Sequence, residues 1–78
     1  MPTFVAVDLG ATSGRVVNVR IDREAIELEL VRRFPTVSVA GPGGELAWDF
    51  DALVSDVTIG LSEAAVRERV ESVAVDSW

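Results

Sequence analysis

Asp8 closes the apolar run Phe4-Val5-Ala6-Val7-Asp8, and the residues after it, Leu9-Gly10-Ala11-Thr12-Ser13-Gly14-Arg15, combine small side chains, hydroxyls and a guanidinium. Glycine lacks a Cβ, so Gly10 and Gly14 can take positive φ and let the main chain approach a ligand closely. Ala11, Thr12 and Ser13 add little bulk between them, and successive N–H groups in such a turn form a concavity suited to an anion. The hydroxyls of Thr12 and Ser13 offer further donors. The planar fork of Arg15 matches a phosphate group. Asp8 repels a bare polyphosphate, so a role for it requires a cation between the two. Mg2+ suits that position, being a hard ion that keeps several waters and uses few carboxylates. The pattern implies phosphate chemistry with a metal bridge, as in a nucleotide hydrolase or kinase. The same residues also make an ordinary β-hairpin in which Asp8 and Thr12 bond local backbone groups, and on spacing alone both readings stand.

Other chemistries are excluded more firmly. The chain has no lysine and its turn runs into a strand instead of a helix, which removes the Walker and dinucleotide-binding patterns. Gly41-Pro42-Gly43-Gly44 is a surface connection, because the proline removes a donor and no helix N-terminus follows directly. With neither cysteine nor histidine there is no disulfide framework and no tetrahedral zinc site. A net charge of −6 with dispersed arginines argues against a nucleic-acid surface. There is no basic leader followed by an apolar core, and no apolar run long enough to span a membrane. The expected compartment is the cytoplasm.

The elements that would position these residues follow from periodicity. Thr3 to Asp8 is a nearly continuous apolar strand, expected to be covered on both faces. Arg15 to Ile21 alternates, with Val17, Val19 and Ile21 on one face and Val16, Asn18 and Arg20 on the other. After the polar turn Asp22-Arg23-Glu24, Ile26, Leu28 and Leu30 alternate with Glu27 and Glu29, giving an antiparallel three-stranded meander. Pro35 to Ala47 reads as a surface connection with a short extended piece at Val37 to Val39. From Asp49 or Asp51 to Val70, Leu53, Val54, Val57, Leu61, Ala64 and Ala65 recur at helical spacing, and either aspartate can cap the start. Gly60 inside that helix costs about 1 kcal/mol relative to alanine, so close packing on the sheet is expected there. Trp48 is read as a packing residue or staple before the helix. Arg67, Glu68, Arg69 and Glu71 are read as a solvated helix end with local pairs. Ser72 to Val75 is a short strand, and a right-handed crossover lays it parallel to the first. The fold class is therefore α/β with sheet order third, second, first, fourth, a ribonuclease H-like core. Asp8 and Asp76 then end adjacent parallel strands, where open α/β sheets bind ligands.

The run Asp8 to Arg15 resembles the first phosphate motif of the actin-like ATPase superfamily and is most similar to that of the FGGY carbohydrate kinases, in particular their rhamnulose-type branch. Arg32-Arg33-Phe34-Pro35, Gly44-Glu45-Leu46-Ala47-Trp48-Asp49 and Ser72 to Trp78 agree with that family in order and spacing. Many members carry a hydroxyl residue in place of Ala11 and some a serine in place of Gly14, whereas the rhamnulose-type branch resembles this chain at both positions. The resemblance implies an actin-like N-terminal lobe, with residues 1–78 forming its first, truncated portion. It implies ATP held by Gly10, Ala11, Thr12, Ser13, Gly14 and Arg15, and Mg2+ reached by Asp8 through water. It places Asp76 and Trp78 beside a sugar, where the ring of Trp78 either stacks on the sugar or belongs to the core. The implied reaction carries the γ-phosphoryl of ATP to the 1-hydroxyl of L-rhamnulose or a close ketose. The proton acceptor and the adenine pocket would lie in the remainder of the kinase chain, so the portion alone is expected to be inactive. Kinases of fuculose, xylulose, gluconate or glycerol, and a non-catalytic nucleotide-binding member of the superfamily, are the alternatives.

Overall fold

A computed structural model describes residues 2–77. Alternating apolar residues pair the first three segments into the expected meander, β1 (Thr3–Leu9), β2 (Ser13–Ile21) and β3 (Ile26–Pro35). The β1–β2 register runs from Thr3 opposite Arg20 to Leu9 opposite Gly14. In β3 a bulge falls where Val16 gives way to Val17 in the facing strand. It leaves Val31 without a register partner, and that side chain is buried.

The chain then makes a short hairpin, β4 (Ser38–Ala40) and β5 (Leu46–Trp48), closed by the Gly41 N–H on the Glu45 carbonyl at 2.6 Å. Gly44 takes a φ of +82° in its turn, the left-handed region glycine favours. A connection with one extended piece was expected; strands this short show too little alternation to announce themselves. Trp48 belongs to β5, opposite Ser38.

Helix α1 (Phe50–Arg67) follows, with Asp49 as its cap: the carboxylate accepts from the Ala52 N–H at 3.1 Å, and Asp51 lies in the first turn. Gly60 is buried where the helix crosses β2, and a Cβ built on it would come within 2.5 Å of a Val16 methyl. The glycine therefore sets how closely helix and sheet approach. Ala64 completes a core with Val5, Val7, Val16, Val31 and Phe34. Arg32 on β3 ties the same helix down, bonding Asp56 at 2.7 Å and reaching Glu63 at 3.4 Å.

The helix stops at Arg67 instead of continuing to Val70, because Glu68 turns into an extended conformation. Its carboxylate pairs with Arg20 and accepts from the Thr3 hydroxyl at 3.2 Å, while Arg67 bonds Glu29 at 3.2 Å. Arg67, Arg69 and Glu71 are exposed as expected, but the expected local pairs are corrected. Arg67 and Glu68 bind across to the sheet, and ion pairs over such sequence separations lock the helix terminus onto it.

The last strand, β6 (Ser72–Ser77), lies parallel to β1 from Phe4 opposite Ser72 to Leu9 opposite Ser77. The sheet order is β3-β2-β1-β6, as the sequence predicts. The result is a small α/β fold with a mixed sheet. One expectation fails here: β1 is covered on one face only. Its odd-numbered residues Thr3, Val5 and Val7 are buried beneath the helix, while Phe4 and Ala6 look onto an open face shared with Ile26, Leu28 and Leu30. Among the described residues no helix is long and apolar enough to cross a membrane.

Candidate phosphate-binding site

The register carries the site's logic. Asp76 stands opposite Asp8, Asp8 opposite Arg15, and Arg15 opposite Arg33, so β6, β1, β2 and β3 each give one charged residue to a single row. Alternation places that row on the open face, since the neighbours Val7, Gly14 and Phe34 are buried on the helix side. The row reads acid, acid, base, base.

Asp8 and Arg15 are bonded to each other: Arg15 Nη2 donates to Asp8 Oδ2 at 2.6 Å, with the side chains 45% and 53% exposed respectively. The carboxylate therefore points to solvent, not into hydrocarbon. Asp76 is exposed, one strand spacing of about 4.8 Å away.

Beyond the row, the chain turns through Gly10-Ala11-Thr12. Gly10 donates its N–H to the Ser13 carbonyl at 2.9 Å, so that amide is spent inside the turn. Thr36, just past β3, holds the turn twice. Its hydroxyl donates to the Gly10 carbonyl at 2.9 Å and its N–H to the Thr12 carbonyl at 3.1 Å. With those carbonyls drawn toward Thr36, the N–H groups of Ala11 and Thr12 have no acceptor among the described residues, and both residues are exposed. Two free successive amides are what an anion-binding concavity needs.

The remaining turn residues differ from the sequence reading in conformation and packing. Ser13 and Gly14 already belong to β2, facing Pro35 and Leu9 or Phe34. Neither Gly10 nor Gly14 has positive φ. A Cβ on Gly14 would strike the Phe34 ring, so this glycine makes room for a core aromatic. Trp78 lies outside the described residues; Ser77 ends β6 beside Leu9.

No group of three or more acidic, histidine or cysteine side chains that could hold a metal occurs among the described residues. Asp8 and Asp76 would supply only one edge of a coordination sphere. That fits an Mg2+ that brings its own waters and phosphate oxygens, and does not fit a resident ion. Two surface concavities, of about 290 Å3 against Ser38, Leu46, Ala47 and Trp48 and about 340 Å3 against Ser62, Glu63, Val66 and Arg67, involve no residue of the turn.

The sequence reading did not single out Thr36, which holds the turn, or Arg33, which completes the charged row. Arg33 sits in the quoted Arg-Arg-Phe-Pro piece, but its place in the row depends on a register that local sequence does not print. No protein-family model matches the chain.

Proposed function

We propose that this chain is the phosphate-binding portion of an FGGY-type carbohydrate kinase with an actin-like N-terminal lobe. The observation that supports it is the pair of amides at Ala11 and Thr12, without an acceptor among the described residues, held by Thr36 at the carboxyl end of β1, next to Asp8 and Arg15. Phosphoryl transfer depends mainly on positioning and charge stabilisation. In this reading the turn amides and the Thr12 hydroxyl grip a terminal phosphate, and Arg15 exchanges Asp8 for a phosphate oxygen. Asp8, so released, would face the nucleotide's Mg2+, which would neutralise phosphate charge. Asp76, in register with Asp8, faces the acceptor, a ketose for which L-rhamnulose is the first candidate. The apolar open face fits a lobe that is covered by further kinase chain, which would also supply the proton acceptor. Such an enzyme, using ATP and a free sugar, works in the cytoplasm.

Titration of the chain with Mg2+·ATP, followed through its amide resonances, tests the reading. Shifts concentrated at Ala11 and Thr12 are expected, and unmoved resonances there overturn it. ATP consumption with and without L-rhamnulose, assayed on the protein carrying this lobe in full, tests the reaction. Nucleotide binding without sugar-dependent turnover would instead indicate the non-catalytic member.

A further inference from the structure

The charged row ends in a cation that no side chain among the described residues answers. Arg33 is exposed, and its guanidinium has no ion pair or hydrogen bond among the described residues, although it stands directly opposite Arg15. Like charges facing each other across strands are unfavourable. Asp8 relieves Arg15, whereas Arg33 keeps its repulsion uncompensated. Elsewhere Arg20, Arg32 and Arg67 all have carboxylate partners. Arg23 lies at the opposite end of the sheet, in the polar turn after β2, and Arg69 lies past the helix. Arg33 alone of the unpaired arginines among the described residues is at the end where the turn amides are free, three residues from the Thr36 that holds them.

We propose that Arg33 is an anion-contacting residue of this site, taking a phosphate oxygen of a nucleotide's polyphosphate alongside the Ala11 and Thr12 amides. The inference rests on the phosphate reading above and deepens it. With a net charge of −6 the molecule as a whole repels polyphosphate, so capture has to come from a local cation. Arg15 is occupied until its bond to Asp8 is exchanged; Arg33 is available from the outset. An incoming anion also removes the repulsion between the facing guanidiniums.

Inorganic tripolyphosphate is the probe, with amide shifts at Ala11 and Thr12 giving the dissociation constant. Arg33→Gln should weaken binding by about tenfold, the scale of one charge-assisted hydrogen bond. Arg33→Lys, which keeps the charge and loses the fork, should recover most of that loss. Arg23→Gln makes the same change in net charge at the far end and should leave binding unchanged. Equal losses in Arg23→Gln and Arg33→Gln, or none in Arg33→Gln while the wild-type chain responds, overturn the role of Arg33 alone. A wild-type chain whose Ala11 and Thr12 amides ignore tripolyphosphate overturns the phosphate reading, and this inference with it. Unchanged resonances of Val5 and Val7 show that each variant is folded.

Discussion

Asp8 and Arg15, the residues the sequence assigns to metal and to phosphate, are bonded to each other at 2.6 Å across the β1–β2 hairpin. An exposed pair of this kind contributes at most about 1 kcal/mol to stability. Under the proposed phosphate reading, its more important effect would be to keep each group from its ligand until both are exchanged together. Asp8→Asn should therefore free Arg15 and tighten binding of metal-free tripolyphosphate several-fold, about the effect of removing one competing carboxylate. The same variant should lose the further gain that Mg2+ gives the wild-type chain. Calorimetric titration with and without Mg2+ reads both; an undiminished Mg2+ effect in Asp8→Asn would show that the carboxylate does not serve the metal.

Thr36→Val keeps the shape of the side chain and deletes the hydrogen bond to the Gly10 carbonyl. Loss of about 1 kcal/mol of stability is expected for one such bond, together with faster hydrogen exchange at the turn and weaker polyphosphate binding. Thr36→Ser retains the hydroxyl and should behave as wild type. If Thr36→Val binds as tightly as Thr36→Ser, the turn is held without this clamp.

Gly60→Ala tests where α1 meets the sheet. Helix propensity alone would make alanine better by about 1 kcal/mol. The new methyl, however, would lie 2.5 Å from Val16 Cγ2 and 3.0 Å from Val16 Cβ, and Val16 is fully buried. Overpacking of that degree costs about 1–3 kcal/mol, so denaturant titration should show net destabilisation. A more stable Gly60→Ala would mean that the helix can lift off β2 freely.

Much of this was readable beforehand, and the exceptions have a common cause. The meander and the crossover followed from alternation in Val17, Val19 and Ile21 and from the helical spacing of Leu53, Val57 and Leu61, which are local signals. The helix end was misplaced because Val70 extends the apolar pattern, whereas the chain leaves the helix so that Glu68 can meet Arg20, distant in sequence. That Gly14 also makes room for Phe34, distant in sequence, is not printed in the local run. Thr36 and Arg33 acquire their places only once β3 is registered on β2. What went unread in each case was a partner far away along the chain.

Acid should loosen the helix end first. The bond from Arg20 holds the Glu68 carboxyl below its ordinary value of 4.5, with the Thr3 hydroxyl and the charge of Arg20 assisting against partial desolvation. Glu29 is lowered likewise, mainly by the bond from Arg67, with Arg20 also assisting. A carboxylate whose pKa is depressed on folding contributes its stability above the unfolded value and loses it as pH falls through the folded one. The denaturation midpoint should therefore be level above about pH 5 and fall below it. Glu68→Gln should flatten part of that fall; an unchanged acid limb would show that this cluster does not control it.

Asn18 presents the opposite case, a polar group whose removal should help. It is fully buried on β2 between Val5 of β1 and Glu29 of β3, and neither its Nδ2 nor its Oδ1 has a partner among the described residues. A buried amide without hydrogen bonds costs about 1–3 kcal/mol, while an apolar group of similar size in its place carries no such penalty. Valine is close in volume, favours a strand and extends the Val5, Val7 and Val16 core. Asn18→Val should accordingly raise stability by about 1–2 kcal/mol, a gain of roughly 4–8 °C in Tm per kcal/mol for a domain of this size. Asn18→Asp, which puts a buried carboxylate beside Glu29, should do the reverse. If Asn18→Val is instead less stable than wild type, the carboxamide is bonded in solution, and an internal water against β2 becomes part of the core.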